Sequence, residues 1–374
     1  MISFYPPSVD SGMSLSVQDC IVRGLFSGGY YSGLLTKLFL HEMDVSNLIL
    51  TPSCTSAIHM ALRLAHIRPG DEVILPSFNF PAAANAVLLC GGVPVLCDID
   101  PVTQNISAGD AALRITKKTK AIIAVHYAAV ACDMEKLNEL CTEFSLALIE
   151  DAAQAVGAAY KGRHLGTMGR FGCYSFHATK VFTSGEGGAL CFGAEDAQEA
   201  ALYRDNGTNR ESFMNGNCLA YDWQGLGESM RMSELAAAAL YPQLLRRDDI
   251  IHKRLMIHRA YETAFRDASL SGRLQAMAVP EGCQTNGHIY YIRFEDAQKR
   301  ERVQNALKQE DIQSYSHYVP LHMSPMGAAL GYSSKDLPQS KRTYETLLRL
   351  PIHEQMTEDQ AFYVAERLLK AVEG

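Results

Sequence analysis

A chain of 374 residues, 47% hydrophobic and 20% charged, has the balance of a folded protein with room for more than one domain, and disorder is excluded as its description. Its formal net charge of −7 gives no general attraction to nucleic acid. No nucleic-acid partner is therefore expected, and an anionic ligand needs a local cationic or dipolar site.

The opening segment, Met1-Ile2-Ser3-Phe4-Tyr5-Pro6-Pro7, has no basic stretch followed by an apolar one, so no export signal is expected. No apolar run approaches the roughly 20 residues that span a bilayer, so no membrane partner is expected either. Ten cysteines are scattered from Cys20 to Cys283 with no C-x-x-C pair. They read as buried thiols of a reducing compartment rather than as a disulfide framework, and the chain is expected to be cytoplasmic.

From about residue 48 to residue 192, short apolar runs alternate with helical patterns. The predicted strands are Glu72–Leu75, Val93–Asp98, Ala121–His126, Leu146–Glu150, Cys173–His177 and Ala189–Phe192. Their lack of polar alternation is that of strands buried on both faces. The predicted helices between them are Thr55–His66, Ala82–Leu89, Met134–Phe144 and Ala197–Arg204. This alternation predicts an α/β domain with a mostly parallel sheet. A long helix-compatible stretch follows over Ser233–Phe265, interrupted by Arg246-Arg247-Asp248-Asp249. Beyond it, His288–Phe294 and Ser314–Val319 are candidate strands and Glu358–Val372 is a closing helix. The expected division is a large domain over 1–245 and a small α+β domain over 246–374.

Four segments carry candidate chemistry. Asp151, in Glu150-Asp151-Ala152-Ala153-Gln154, ends an apolar strand, where open α/β sheets place their ligands. A carboxylate there can hold a proton on a heterocyclic nitrogen, or it can simply cap the next helix. Lys180, in Tyr174-Ser175-Phe176-His177-Ala178-Thr179-Lys180, comes just past another strand end and just before Gly185-Glu186-Gly187-Gly188. A lysine desolvated at that place can form a Schiff base, although an arbitrary lysine is more often a surface group.

Thr55 and Ser56, in Thr51-Pro52-Ser53-Cys54-Thr55-Ser56-Ala57, open a helix and offer a phosphate site, which an ordinary helix cap also explains. Phe80, in Pro76-Ser77-Phe78-Asn79-Phe80, is placed to stack on a ring or to fill core. Together, an amine, a carboxylate for a ring nitrogen, a phosphate cradle and a stacking aromatic meet the demands of pyridoxal 5′-phosphate (PLP). With no H-E-x-x-H, no paired cysteine set and no G-x-G-x-x-G after a first strand, neither a metal nor a dinucleotide is expected.

These motifs resemble those of the DegT-type sugar-nucleotide aminotransferases, and the likeness runs the length of the chain. It implies the fold-type I PLP-dependent transferase fold (aspartate aminotransferase-like), with a mostly parallel mixed sheet in the large domain. It also implies a homodimer with shared active sites. By the resemblance, Lys180 is the Schiff-base lysine and acid–base group, and Asp151 pairs with the pyridine nitrogen. Gln154 sits by the ring hydroxyl, Phe80 stacks on the ring, and Thr55, Ser56 and Ser175 hold the phosphate. Family members commonly send an Asn from the partner subunit to that phosphate. Here the matching stretch is Ser229-Met230-Arg231-Met232-Ser233-Glu234, with Ser229 in place of the Asn.

Further segments extend the likeness: Leu50–Thr55, His126–Cys132, Gly207-Thr208-Asn209-Arg210 and His317-Tyr318-Val319-Pro320-Leu321-His322. From these, His322, Asn209 and Arg210 are candidate substrate-binding residues. A satisfied small-domain histidine and a solvated loop explain them equally well. The implied substrates are L-glutamate and a nucleotide-linked keto sugar, in the first instance a dTDP-linked 4-keto-6-deoxy sugar. The open alternatives are a 3-keto or UDP-linked sugar and, more distantly, a non-catalytic PLP-binding regulator.

Overall fold

The computed structural model describes residues 1–6 and 10–373. Two N-terminal helices come first, α1 (Ser11–Arg23) and α2 (Tyr30–Met43). Asp10 starts α1 by accepting the Met13 N–H, and Gly24 ends it at φ 66°, a left-handed conformation glycine adopts without strain. The alternating region then runs β1 (Asn47–Thr51), α3 (Cys54–Leu64), β2 (Glu72–Pro76), α4 (Ala82–Leu89), β3 (Val93–Cys97), α5 (Ala108–Arg114), β4 (Thr119–Val125), α6 (Met134–Glu143) and β5 (Ala147–Asp151). Two short strands, β6 (Ala159–Tyr160) and β7 (Arg163–His164), precede β8 (Phe171–Ser175), β9 (Gly188–Phe192), α7 (Ala197–Arg204) and α8 (Arg210–Met214).

Seven strands form one sheet in the order β1-β9-β8-β5-β4-β2-β3. The run from β8 to β3 is parallel, while β9 is antiparallel to both β8 and β1. This is the α/β, mostly parallel mixed sheet expected, with helices packed on both faces. Ile123, Ile149 and Leu190 face one apolar layer with α3 and α4, and Leu50, Tyr174 and Ala189 face another with α2 and α9 (Glu234–Leu245). Register aligns Thr51, Gly188 and Ser175 across three strands at one sheet edge, with Asp151 beside Cys173 on the next.

The expected helix over 233–265 is two helices, α9 and α10 (Arg247–Leu270), parted at Arg246. Past them stand β10 (Gln275–Ala276), β11 (Cys283–Gln284), β12 (Tyr290–Arg293), α11 (Ala297–Gln309), α12 (Pro325–Ala329), α13 (Pro338–Thr346), β13 (Leu347–Leu350) and α14 (Glu358–Glu373). A three-stranded sheet, β10-β12-β13, buries Tyr290, Ile292 and Leu348 against α10, α11 and α14. Ser314–Val319 does not form the expected strand. Only Tyr315 pairs there, with Arg349, after which the chain turns towards Pro320. No helix among the described residues is long and apolar enough to cross a membrane.

Candidate active site

The end of β5 is fixed by Glu150, which is completely buried and points to the side opposite Asp151. It accepts the N–H groups of Gly166 (2.8 Å) and Met168 (2.6 Å) and pairs with the His126 imidazole at 2.9 Å. The neighbouring Asp151 is thereby held at the carboxyl end of the strand, 7% exposed. Its Oδ1 accepts the Ala153 N–H at 3.1 Å and lies 3.9 Å from the Cys54 thiol, while Oδ2 has no hydrogen-bond donor among the described residues. Burial raises the Asp151 pKa, opposed in part by the Ala153 N–H and the Lys180 charge.

Lys180 stands in the loop between β8 and β9. Hydrogen bonds from Lys180 N–H to the His177 carbonyl, Ala178 N–H to the Gly185 carbonyl and Ser184 N–H to the Phe176 carbonyl, each 2.9 Å, shape that loop. The residue is half-exposed overall, yet its amine sits deep enough that burial pulls its pKa below the usual lysine value; Asp151 resists that shift. The chain re-enters the sheet at Gly188. A Cβ there would lie 2.5 Å from the Ser53 carbonyl carbon and 2.6 Å from the Cys54 nitrogen. Only glycine lets β9 lie this close to the start of α3.

At that start, Ser53 caps the helix through the Ser56 N–H at 3.1 Å. The Thr55 hydroxyl has no hydrogen-bond partner among the described residues, whereas the Ser56 hydroxyl lies 3.0 Å from that of Ser53. Gln154 is tied down at both ends, its Oε1 accepting the Ala128 N–H at 2.7 Å and its Nε2 donating to the Tyr318 hydroxyl at 3.4 Å. Phe80 is 60% exposed, an unusual setting for a large aromatic ring just past a strand end.

These groups surround a cleft of about 480 Å³ whose walls include Thr55, Phe80, Asp151, Gln154, Ser175 and Lys180. The sequence thus placed six side chains on one cavity. Ser56 stands one step behind Thr55. Asn209 stands at the start of α8 and accepts the Asp222 N–H at 2.9 Å, and the exposed Arg210 side chain makes no hydrogen bond or ion pair among the described residues. Ser229 is exposed and pairs with Asp205, outside the cleft. His322 is buried behind the cleft with Nδ1 at 2.7 Å from the Ser77 hydroxyl. The cleft instead receives His317 and Tyr318, whose rings stack at 4.0 Å and 9°. Both belong to the segment that pointed to His322, but no periodicity distinguishes the inward member when the segment is an irregular turn. A second cleft of about 450 Å³, near the far end of α3 and lined by Arg63, Arg68, Tyr203 and Leu226, holds none of the expected residues.

The donor set suits PLP. A desolvated amine, a buried carboxylate with one oxygen still unclaimed, and a helix start approached by glycine match the aldehyde, ring nitrogen and phosphate of that molecule. Among the described residues no group of three His, Cys, Asp or Glu side chains is arranged to hold a metal.

Comparison with known proteins gives the same direction. Residues 8–369 match the DegT/DnrJ/EryC1/StrS aminotransferase family. GDP-perosamine synthase of Vibrio cholerae is 32% identical over 334 residues, 87% of each chain. The dTDP-4-dehydro-2,3,6-trideoxy-D-glucose 4-aminotransferase of Saccharopolyspora spinosa is 30% identical over 343 residues, 90% of this chain and 87% of that one. Among solved structures, the PLP form of a Streptococcus pneumoniae protein assigned as a sugar aminotransferase superposes with a TM-score of 0.91 at 25% identity, covering 100% of this chain and 98% of that one.

Proposed function

The chain belongs to the DegT/DnrJ/EryC1/StrS aminotransferase family, a PLP-using family of enzymes, and from that premise we propose that it transfers an amino group from L-glutamate to a nucleotide-linked keto sugar. The specific reaction proposed is dTDP-4-dehydro-6-deoxy-D-glucose plus L-glutamate giving dTDP-4-amino-4,6-dideoxy-D-galactose plus 2-oxoglutarate. The observation that carries the transamination is the presence of a desolvated Lys180 amine and a buried Asp151 carboxylate on one cleft. A relative named for 4-amination of a dTDP-linked dehydro sugar supports the position and the nucleotide.

When bound, PLP supplies an electron sink for the carbon from which a proton is removed. Asp151 Oδ2 would accept the ring N–H and keep that nitrogen protonated. Lys180 Nζ would hold the cofactor between turnovers and, once free and uncharged, would carry a proton between the glutamate Cα and the cofactor's aldehyde carbon. Phe80 would cover a ring face, Gln154 would lie on the ring hydroxyl side, and Thr55, Ser56 and Ser175 would hold the phosphate with the amides that open α3. Asn209 and Arg210 are assigned to the substrate and Ser229 to the phosphate of a partner's cleft, while His322, buried against Ser77, supports the wall behind this chain's cleft. We also propose a homodimer, a cytoplasmic setting and a division into domains at residues 245 and 246.

The test is a panel assay. Glutamate is supplied with dTDP-, GDP- and UDP-linked 3-keto and 4-keto sugars, and the product is identified by mass and NMR. The expected product is a galacto-configured 4-amine on dTDP. Exclusive use of a GDP- or UDP-linked sugar, or amination at C3, overturns the specific reaction and leaves the family chemistry.

A further inference from the structure

Strand β4 ends at Val125, and the chain then turns through Tyr127–Ala129 before α6 begins. Ala128 and Ala129 hold φ at 55° and 60°, the only two consecutive non-glycine residues in the left-handed region among the described residues. Both are completely buried. A residue with a Cβ is strained there, so the conformation persists only where its surroundings enforce it. Asn105, itself buried, accepts the Tyr127 N–H at 2.8 Å and donates from Nδ2 to the carbonyls of Val130 and Ala131, each at 2.9 Å. His126 closes the base of the turn, its Nδ1 accepting the Cys132 N–H at 3.2 Å. Thr285 donates to the Ala128 carbonyl at 3.2 Å.

This conformation aims one backbone donor. The Ala128 N–H meets Gln154 Oε1 at 2.7 Å. That bond settles the amide: the oxygen faces the turn, so the free end is Nε2, which carries two N–H groups and accepts nothing. One of them goes to the Tyr318 hydroxyl at 3.4 Å, and the other has no acceptor among the described residues. Gln154 and Tyr318 both line the active-site cleft, whereas Asn105 and Ala128 do not. We propose that the left-handed turn, clamped by Asn105, is a positioning device that makes Gln154 present a donor, never an acceptor, to the ring oxygen of the cofactor. This rests on the reading that the cleft holds PLP with its ring hydroxyl side towards Gln154. A donor stabilises that oxygen as an anion, so the bound cofactor loses its proton at lower pH than it would without one. If the turn relaxed, the Ala128 N–H would leave Oε1, and the amide could meet the ring oxygen with its own oxygen as readily as with its nitrogen.

The absorbance of the PLP-loaded protein, followed against pH, reads this directly. Gln154→Leu deletes the donor and should raise the midpoint of the cofactor's absorbance change by about one pH unit, the size expected of a hydrogen bond to a charged oxygen. Asn105→Ala leaves the charged and acid–base groups of the cleft in place, among them Asp151, His177, Lys180, Glu186, His317 and Tyr318. It should nevertheless raise the midpoint by about half a pH unit, because it frees the turn. Adding Ala128→Gly and Ala129→Gly to Asn105→Ala makes the left-handed conformation accessible without strain and should return the midpoint towards that of the wild type. A merely structural role for Asn105 would lower the melting temperature and leave the midpoint where it was. An unmoved midpoint in Gln154→Leu or Asn105→Ala, or one that stays raised in the glycine variant, overturns the inference, while PLP uptake by the wild type upholds the cofactor reading. Should Asn105→Ala not fold or not hold PLP, Thr285→Val, which removes only the hydroxyl behind the Ala128 carbonyl, decides in its place: a raised midpoint supports the inference and an unmoved one overturns it. A wild type that takes up no PLP overturns both the inference and the proposed function.

Discussion

At the scale of single residues, the centre of the site was readable because its members are bound to local patterns. Asp151 and Lys180 each follow a strand end, and the number of residues between a strand end and a reactive group is a property of sequence. His317 was not readable in this way. Its relevance depends on a turn without periodicity. Lys180→Ala should reduce glutamate-dependent amination by at least about 10⁴-fold while circular dichroism stays that of the wild type. Near-normal turnover in that variant would remove Lys180 from the chemistry. A second expectation concerns pH. The amine must be neutral to attack, and burial lowers its pKa, so the apoprotein should take up PLP faster as pH rises, with a midpoint below that of an ordinary lysine, about 10.4. Because the Asp151 charge raises the Lys180 pKa, Asp151→Asn should move this midpoint lower still. Stopped-flow absorbance across pH reads both; a midpoint that rises in Asp151→Asn would contradict the pairing.

At the scale of elements, the strands buried on both faces were legible because continuous apolar runs have few other uses in a chain of this composition. Asn47–Thr51 was not read as a strand, although four of its five residues are buried. It pairs antiparallel with β9 from far away in sequence, which breaks the regular alternation that identified the others. Helices α1 and α2 also escaped. Cys20 is the only buried residue of α1, so its sequence carries almost no stripe to detect. The contact between β9 and the start of α3 is where element packing and ligand binding meet. Gly188→Ala would drive a methyl group into the Ser53–Cys54 backbone, and backbone cannot rotate aside as a side chain can. The expected result is a folded protein whose PLP affinity falls by about tenfold or more, since displaced amides lose their aim at the phosphate. Equilibrium titration with PLP, followed by absorbance, measures this. Wild-type affinity in Gly188→Ala would mean the start of α3 is not the phosphate site.

At the scale of the whole molecule, the change of pattern past residue 245 suggested a second domain, but the surface that a second copy would cover was not legible. Sequence cannot separate an apolar residue destined for the core from one left outside it. In the structure, Leu219, Tyr221, Trp223 and Leu226 are exposed between 50% and 101% on the segment that leads back to Ser229, and Leu25 and Phe26 are exposed near half. The two runs approach each other at Arg231, which pairs with Asp205 and lies against Gly28. So much apolar surface is costly on a lone chain and is normal at the core of an obligate interface. Ser229, outside its own cleft, would then be carried to the partner's. Sedimentation velocity at micromolar concentration should therefore show a particle of twice the 41.1 kDa chain mass. Placing a charge in the centre of that surface with Trp223→Asp should weaken association by about thirtyfold, as loss of an aromatic anchor does. PLP should be lost in parallel with the dimer, because each cleft would be missing the contact supplied across the interface. A stable monomer that retains full PLP affinity and activity would confine the whole active site to one chain and leave the exposed tryptophan with some other task.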